Sequence, residues 1–203
     1  MDHLLTCKTG GLVHQAHDEL RDELATLAKQ AYLRSAVQLE PPIRNNSDST
    51  TENYSQERGD IGIRGFWTKQ FDCIVDIRIT YLESNSNRNS TVEKLIEKQE
   101  KEKKSKYLQP CLERRMHFTP FIATTDGMLG KEAKKFVARL VDRLAGKWMS
   151  PYSQVMAYVR GRISMAILRG TSRRIRGTRT PFRLKGYCED GAGIDLFAHR
   201  SEH

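Results

Sequence analysis

The segment from Phe71 to Tyr81, Phe-Asp-Cys-Ile-Val-Asp-Ile-Arg-Ile-Thr-Tyr, constrains this chain more than any other. β-Branched residues are stiff at χ1 and crowd a helix, so a run this rich in Ile, Val and Thr reads as a strand. In a strand, Phe71, Cys73, Val75, Ile77, Ile79 and Tyr81 share one face, and Asp72, Ile74, Asp76, Arg78 and Thr80 share the other. Two carboxylates and a guanidinium then stand on one side of a rigid element. That grouping suits a divalent metal and a phosphodiester. It equally describes a half-buried strand whose polar face is merely solvated, and within this segment both readings stand.

The rest of the chain supplies partners for the strand. Leu20, Leu24, Leu27, Ala28 and Ala31 recur at helical spacing and predict a helix over 18–32. Residues 36–40 predict a short strand stopped by Pro41-Pro42. Residues 60–67 predict a strand antiparallel to 71–81, and 118–123 a further core strand. The charged stretch 91–115 reads as a helix that Pro110 kinks or divides. Helices follow over 131–148 and 153–175, and polar loops over 45–56 and 83–89. This order predicts an α/β fold, a small mixed β-sheet flanked by helices. The expected organisation is an N-terminal segment 1–15, an α/β core 16–125, a basic helical extension 126–179 and a flexible tail 180–203.

Charge points to the partner. Thirty-four Lys and Arg face twenty-five Asp and Glu, a net charge of +9 over 203 residues, which favours a polyanion. No acidic residue lies between Arg143 and Cys188, while Arg162, Arg169, Arg173, Arg174, Arg176 and Arg179 fall inside that stretch. Positive charge unrelieved over this length repels itself unless an anion neutralises it, so these arginines are expected to bind the phosphate backbone of DNA or RNA without reading sequence. The four cysteines show no C-x-x-C pair, consistent with a reducing compartment. No apolar run approaches the roughly 18 residues of a membrane span. A nuclear or cytoplasmic protein, not secreted and without a membrane partner or a small-molecule cofactor, is the expectation.

Asp60 begins the first strand of the expected hairpin, which brings it toward Asp76. The two carboxylates could share one Mg²⁺, with water and phosphate oxygens completing its six sites, while Arg78 holds phosphate charge. In the run Lys98–Tyr107, opposite charges at i,i+4 stabilise a solvated helix, but Lys103 and Tyr107 share a face that could reach the acidic strand. His3 and Cys7 provide only half of a four-ligand zinc site, so bound zinc is not expected.

Taken in order, these segments resemble the restriction-endonuclease-like region, of the PD-(D/E)XK superfamily, that follows reverse transcriptase in some non-LTR retrotransposons. Asp2-His3-Leu4-Leu5-Thr6-Cys7 looks like the second half of that family's zinc knuckle, here truncated. Ala16-His17-Asp18 with Arg21-Asp22 resembles its Arg-His-Asn/Asp stretch, and Gly59-Asp60 stands in the place of its Pro-Asp dipeptide. Asp76 falls near its second acid, Lys103-Lys104-Ser105-Lys106-Tyr107 on its lysine-tyrosine helix, and Phe118 to Gly127 on the strand and glycine turn beyond. The resemblance covers about residues 2–179. It implies a Mg²⁺-dependent DNA endonuclease of retroelement origin that nicks one strand, with Asp60 and Asp76 as metal ligands. The lysine expected two residues after the second acid is Arg78, which stays protonated. Water activation would therefore pass to Lys103, Lys104 or Lys106. The alternative is a catalytically inactive nucleic-acid-binding remnant of a retrotransposon polyprotein.

Overall fold

The computed structural model describes residues 12–44, 57–82 and 91–176. Helix α1 (Leu12–Ala31) is followed by a 3-10 turn (Arg34–Ala36) and strands β1 (Val37–Leu39), β2 (Ile61–Arg64) and β3 (Asp72–Thr80). Helix α2 (Val92–Glu113) crosses to β4 (His117–Thr124), and α3 (Lys131–Trp148) and α4 (Tyr152–Arg176) complete the chain. The α/β expectation is met: the sheet is mixed, in the order β1-β2-β3-β4. β1, β2 and β3 pair antiparallel, whereas β3 and β4 run parallel, as a helical crossover requires.

The alternation in β3 sorts its side chains between two layers. Cys73, Val75 and Ile77 join Leu20, Leu24 and Leu27 of α1 and Phe136, Leu140 and Leu144 of α3 in one core. Val155, Val159, Ile163 and Ile167 of α4 belong to that same core, in which α3 packs on β4 and α4 packs on α1 and α3. On the opposite face, Ile74 packs with Cys111 of α2 and Phe118 of β4. The polar face of β3 is therefore covered by α2 at Asp76, 6% exposed, and Thr80, 7%, while Asp72 and Arg78 stay exposed.

Two boundaries differ from expectation. α1 begins at Leu12, so the proposed division at 15/16 falls inside a helix. α2 runs unbroken through Pro110, which stands within its last turn and forfeits one helical bond, the one an N–H there would have donated to the Lys106 carbonyl. Pro120 sits in β4, an edge strand, the position in a sheet that tolerates a residue without an N–H. Among the described residues no helix is long and apolar enough to cross a membrane. The N-terminal segment with His3 and Cys7, expected to resemble half a zinc knuckle, both expected polar loops and the tail from Thr180 lie outside the described residues.

Candidate functional site

Asp60 and Asp76 meet because of the β2–β3 register. Ile61 stands opposite Val75, and the Asp60 N–H donates to the Val75 carbonyl at 2.9 Å, which sets Asp60 beside Asp76 on the neighbouring strand. Gly59 makes this approach possible, since a Cβ there would lie 2.3 Å from Cγ2 of Ile74. The Ile77 N–H then donates to Asp60 Oδ2 at 2.5 Å and fixes the carboxylate.

Helix α2 delivers the cation. Gln99 and Lys103 lie one turn apart on the helix face that meets β3, where Thr80 and Asp76 stand four residues apart on one strand face. Two contacts result: the Thr80 hydroxyl donates to Gln99 Oε1 at 2.5 Å, and Lys103 Nζ lies 2.5 Å from Asp76 Oδ2. Buried Glu100 holds the helix in this position by accepting from the N–H of Glu132 at 3.0 Å, in the first turn of α3. A Cβ at Gly130, the N-cap of α3, would meet Glu100 Oε1 at 2.3 Å, so the carboxylate fits only because a glycine stands there.

α1 supplies a fourth group. His17 Nε2 is 3.2 Å from Asp60 Oδ2, and its Nδ1 is 3.4 Å from Asp18 Oδ1. Burial works against the imidazolium, but Asp60 and Asp18 outweigh it and the His17 pKa is raised. The Asp76 carboxyl is also pushed up, mainly by burial and further by the charge of Asp60, against the opposing pull of Lys103 and His17. The site is thus two carboxylates and two cationic groups at the junction of α1, β2, β3 and α2. Among the described residues no group of three or more His, Cys, Asp and Glu side chains is arranged to hold a metal ion.

The other expected catalytic residues have separate partners. Arg78 pairs with Glu102 at 3.2 Å, Lys104 with Glu132 at 3.0 Å, and Lys106 with Glu57 at 3.3 Å and the Tyr107 hydroxyl at 2.9 Å. Asp72 lies opposite Arg64 at the start of β3, four residues before Asp76. Sequence reasoning did not single out His17 as a site residue, because nothing local ties it to Asp60. The i,i+4 ladder Gln99–Lys103–Tyr107 was the available signal for the α2 face.

Three of the α4 arginines, Arg162, Arg169 and Arg173, are not left unrelieved, which corrects that part of the expectation. Glu23 of α1 pairs with Arg162 at 2.7 Å, and Glu19 pairs with Arg173 at 2.8 Å and Arg169 at 3.6 Å. The neutralising carboxylates come from a helix remote in sequence, which a reading along the chain cannot see. Arg176 is exposed, Arg174 is 4% exposed, and Arg179 lies outside the described residues. No protein-family model matches the chain, and no curated protein matches it.

Proposed function

We propose that this protein is a metal-dependent DNA endonuclease of restriction-endonuclease-like type, derived from a retroelement, with Asp60 and Asp76 as its metal ligands. The observation that carries this reading is the convergence of Asp60, Asp76 and Lys103 from three elements. The small mixed sheet between helices agrees with the fold that the sequence resemblance implies. The donor set fits the metal. Carboxylate oxygens are the hard ligands Mg²⁺ prefers, and the elevated Asp76 pKa reflects buried negative charge that a divalent cation would relieve. Two protein ligands leave most of an octahedral shell to water and phosphate oxygens, so binding of ion and strand would support each other. When bound, the ion supplies Lewis-acid stabilisation of phosphate charge and lowers the pKa of its water.

The chain's own groups have distinct tasks. The Ile77 N–H holds Asp60 in one orientation, and the cover of α2 keeps Asp76 out of bulk water. The ammonium of Lys103, next to Asp76, can donate to a phosphate oxygen or orient a water in the place of the lysine that Arg78 replaces. Arg78, paired with Glu102, serves as rim charge. Exposed Arg176, with Arg162, Arg169 and Arg173 once released from α1, would grip the flanking backbone.

Supercoiled-plasmid nicking with and without Mg²⁺ tests the reading. Nicking should require the metal and fall about a hundredfold or more in Asp60→Asn, Asp76→Asn and Lys103→Met. Cleavage indifferent to Mg²⁺ or to Asp76 would refute it. The inactive nucleic-acid-binding reading is favoured by one observation: both carboxylates already hold protein cations, Lys103 and His17. Salt-dependent DNA binding without any nicking would select it.

A further inference from the structure

Helix α4 crosses α1 closely at Gly170, where a Cβ would stand 2.8 Å from Cβ of Ala16. One turn further along, the inward face of α4 carries Arg174, only 4% exposed. Arg174 has no hydrogen-bond or ion-pair partner among the described residues. Its Nε is buried without a partner, and so is Oγ1 of Thr171, three residues earlier on the same helix face. Burial lowers the Arg174 pKa, yet a guanidinium keeps its proton at neutral pH.

A buried cation without a counter-charge is costly, and buried polar groups are normally satisfied. The carboxylates of α1 nearest to α4 are committed elsewhere, Glu19 to Arg169 and Arg173 and Glu23 to Arg162. Helix α4 has no acidic residue of its own. The missing anion must come from outside this set of side chains.

We infer that Arg174 and Thr171 form a seat for a single tetrahedral oxyanion, either inorganic phosphate or the terminal phosphate monoester of a nucleic-acid strand. The guanidinium offers a planar fork of donors and the threonine a hydroxyl, a pairing matched to phosphate oxygens. Burial distinguishes this seat from the rim arginines: at 4% exposure Arg174 cannot lie along the continuous backbone of a strand, whereas a compact anion can be enclosed. Arg174 is two residues from the end of α4, in the turn of the helix that opens at least cost. The seat stands whether or not the acidic pair is catalytic.

The test is thermal unfolding of the full chain in metal-free buffer, with sodium phosphate against sodium chloride at matched ionic strength. Phosphate at a hundredfold excess over its Kd should raise Tm by roughly 5–10 °C. Arg174→Met should lose this response and, in chloride, melt at or above the unaltered protein, because an unpaired buried charge has been removed. A 5′-phosphorylated oligonucleotide that stabilises more than its 5′-hydroxyl twin identifies the strand end as the source, and equal effects identify the free anion. Equal phosphate shifts with and without Arg174, or a shift no larger than that of chloride, would overturn the seat. Should Arg174→Met not fold, Thr171→Val decides: its phosphate response must weaken, and an undiminished one overturns the assignment.

Discussion

Replacing Lys103 by Met keeps the length of the side-chain stem but removes the ammonium 2.5 Å from Asp76 Oδ2. Asp76 is then left 6% exposed, with the charge of Asp60 beside it and only His17 opposing. Removing one partner of a buried pair commonly costs about 3–5 kcal/mol. Here the loss has a ceiling, because the carboxyl can take up a proton instead of staying charged. For a group with an ordinary pKa of 3.8, protonation at pH 7 costs about 4 kcal/mol. Lys103 is 23% exposed at its side chain, so water recovers part of this, and about 2–4 kcal/mol is expected at neutral pH. The sign with pH follows from linkage. The folded pKa of Asp76 already lies above its unfolded value, so the native state holds the extra proton and its stability falls as pH rises through that range. Lys103→Met raises the folded pKa further. The penalty is therefore greatest at neutral pH and shrinks as pH falls and Asp76 takes up its proton in both proteins. Urea unfolding of both proteins at pH 4, 5, 6 and 7 measures this directly. A penalty that does not change with pH would mean that Lys103 acts through the packing of its stem, and no penalty at pH 7 would refute the ion pair.

His17 should show pH dependence over a higher range. Its raised pKa means that its contribution is present below the ordinary value of 6.5 and is lost as pH rises through the folded pKa, so His17→Gln should cost about 1–2 kcal/mol at pH 5.5 and little at pH 8.5 in the same urea assay. Gly59→Ala should destabilise by about 1–3 kcal/mol through the clash with Ile74, and a double-mutant cycle with Ile74→Ala should recover much of that cost. Glu19→Gln combined with Glu23→Gln frees Arg162, Arg169 and Arg173, so DNA should bind more tightly and the slope of log K against log salt should steepen by about 2–3 in fluorescence anisotropy. An unchanged slope would remove these three arginines from the DNA interface.

The sequence by itself determined the elements. Alternating β-branched residues in β3 and the leucine stripes of α1 and α3 leave little choice of secondary structure, and β3 and α3 begin and end within a residue of their expected limits. It also determined that Asp76 shares a strand face with Thr80 and that Lys103 follows Gln99 by one helical turn, since both follow from the period of the element alone. The tertiary structure decided which of these faces meet. The register of β2 on β3 brought Asp60 to Asp76, and the crossover of α2 brought Lys103 to Asp76 while turning Arg78 to Glu102. It also set Glu19 and Glu23 against Arg162, Arg169 and Arg173, more than a hundred residues away in the chain, and so relieved part of a run that reads as unrelieved positive charge while leaving Arg174 buried outside those pairs. The physical reason is range. Dihedral preferences and periodicity act over a few residues and are written locally, whereas electrostatic pairing depends on distance in space, which only the packed sheet and helices fix.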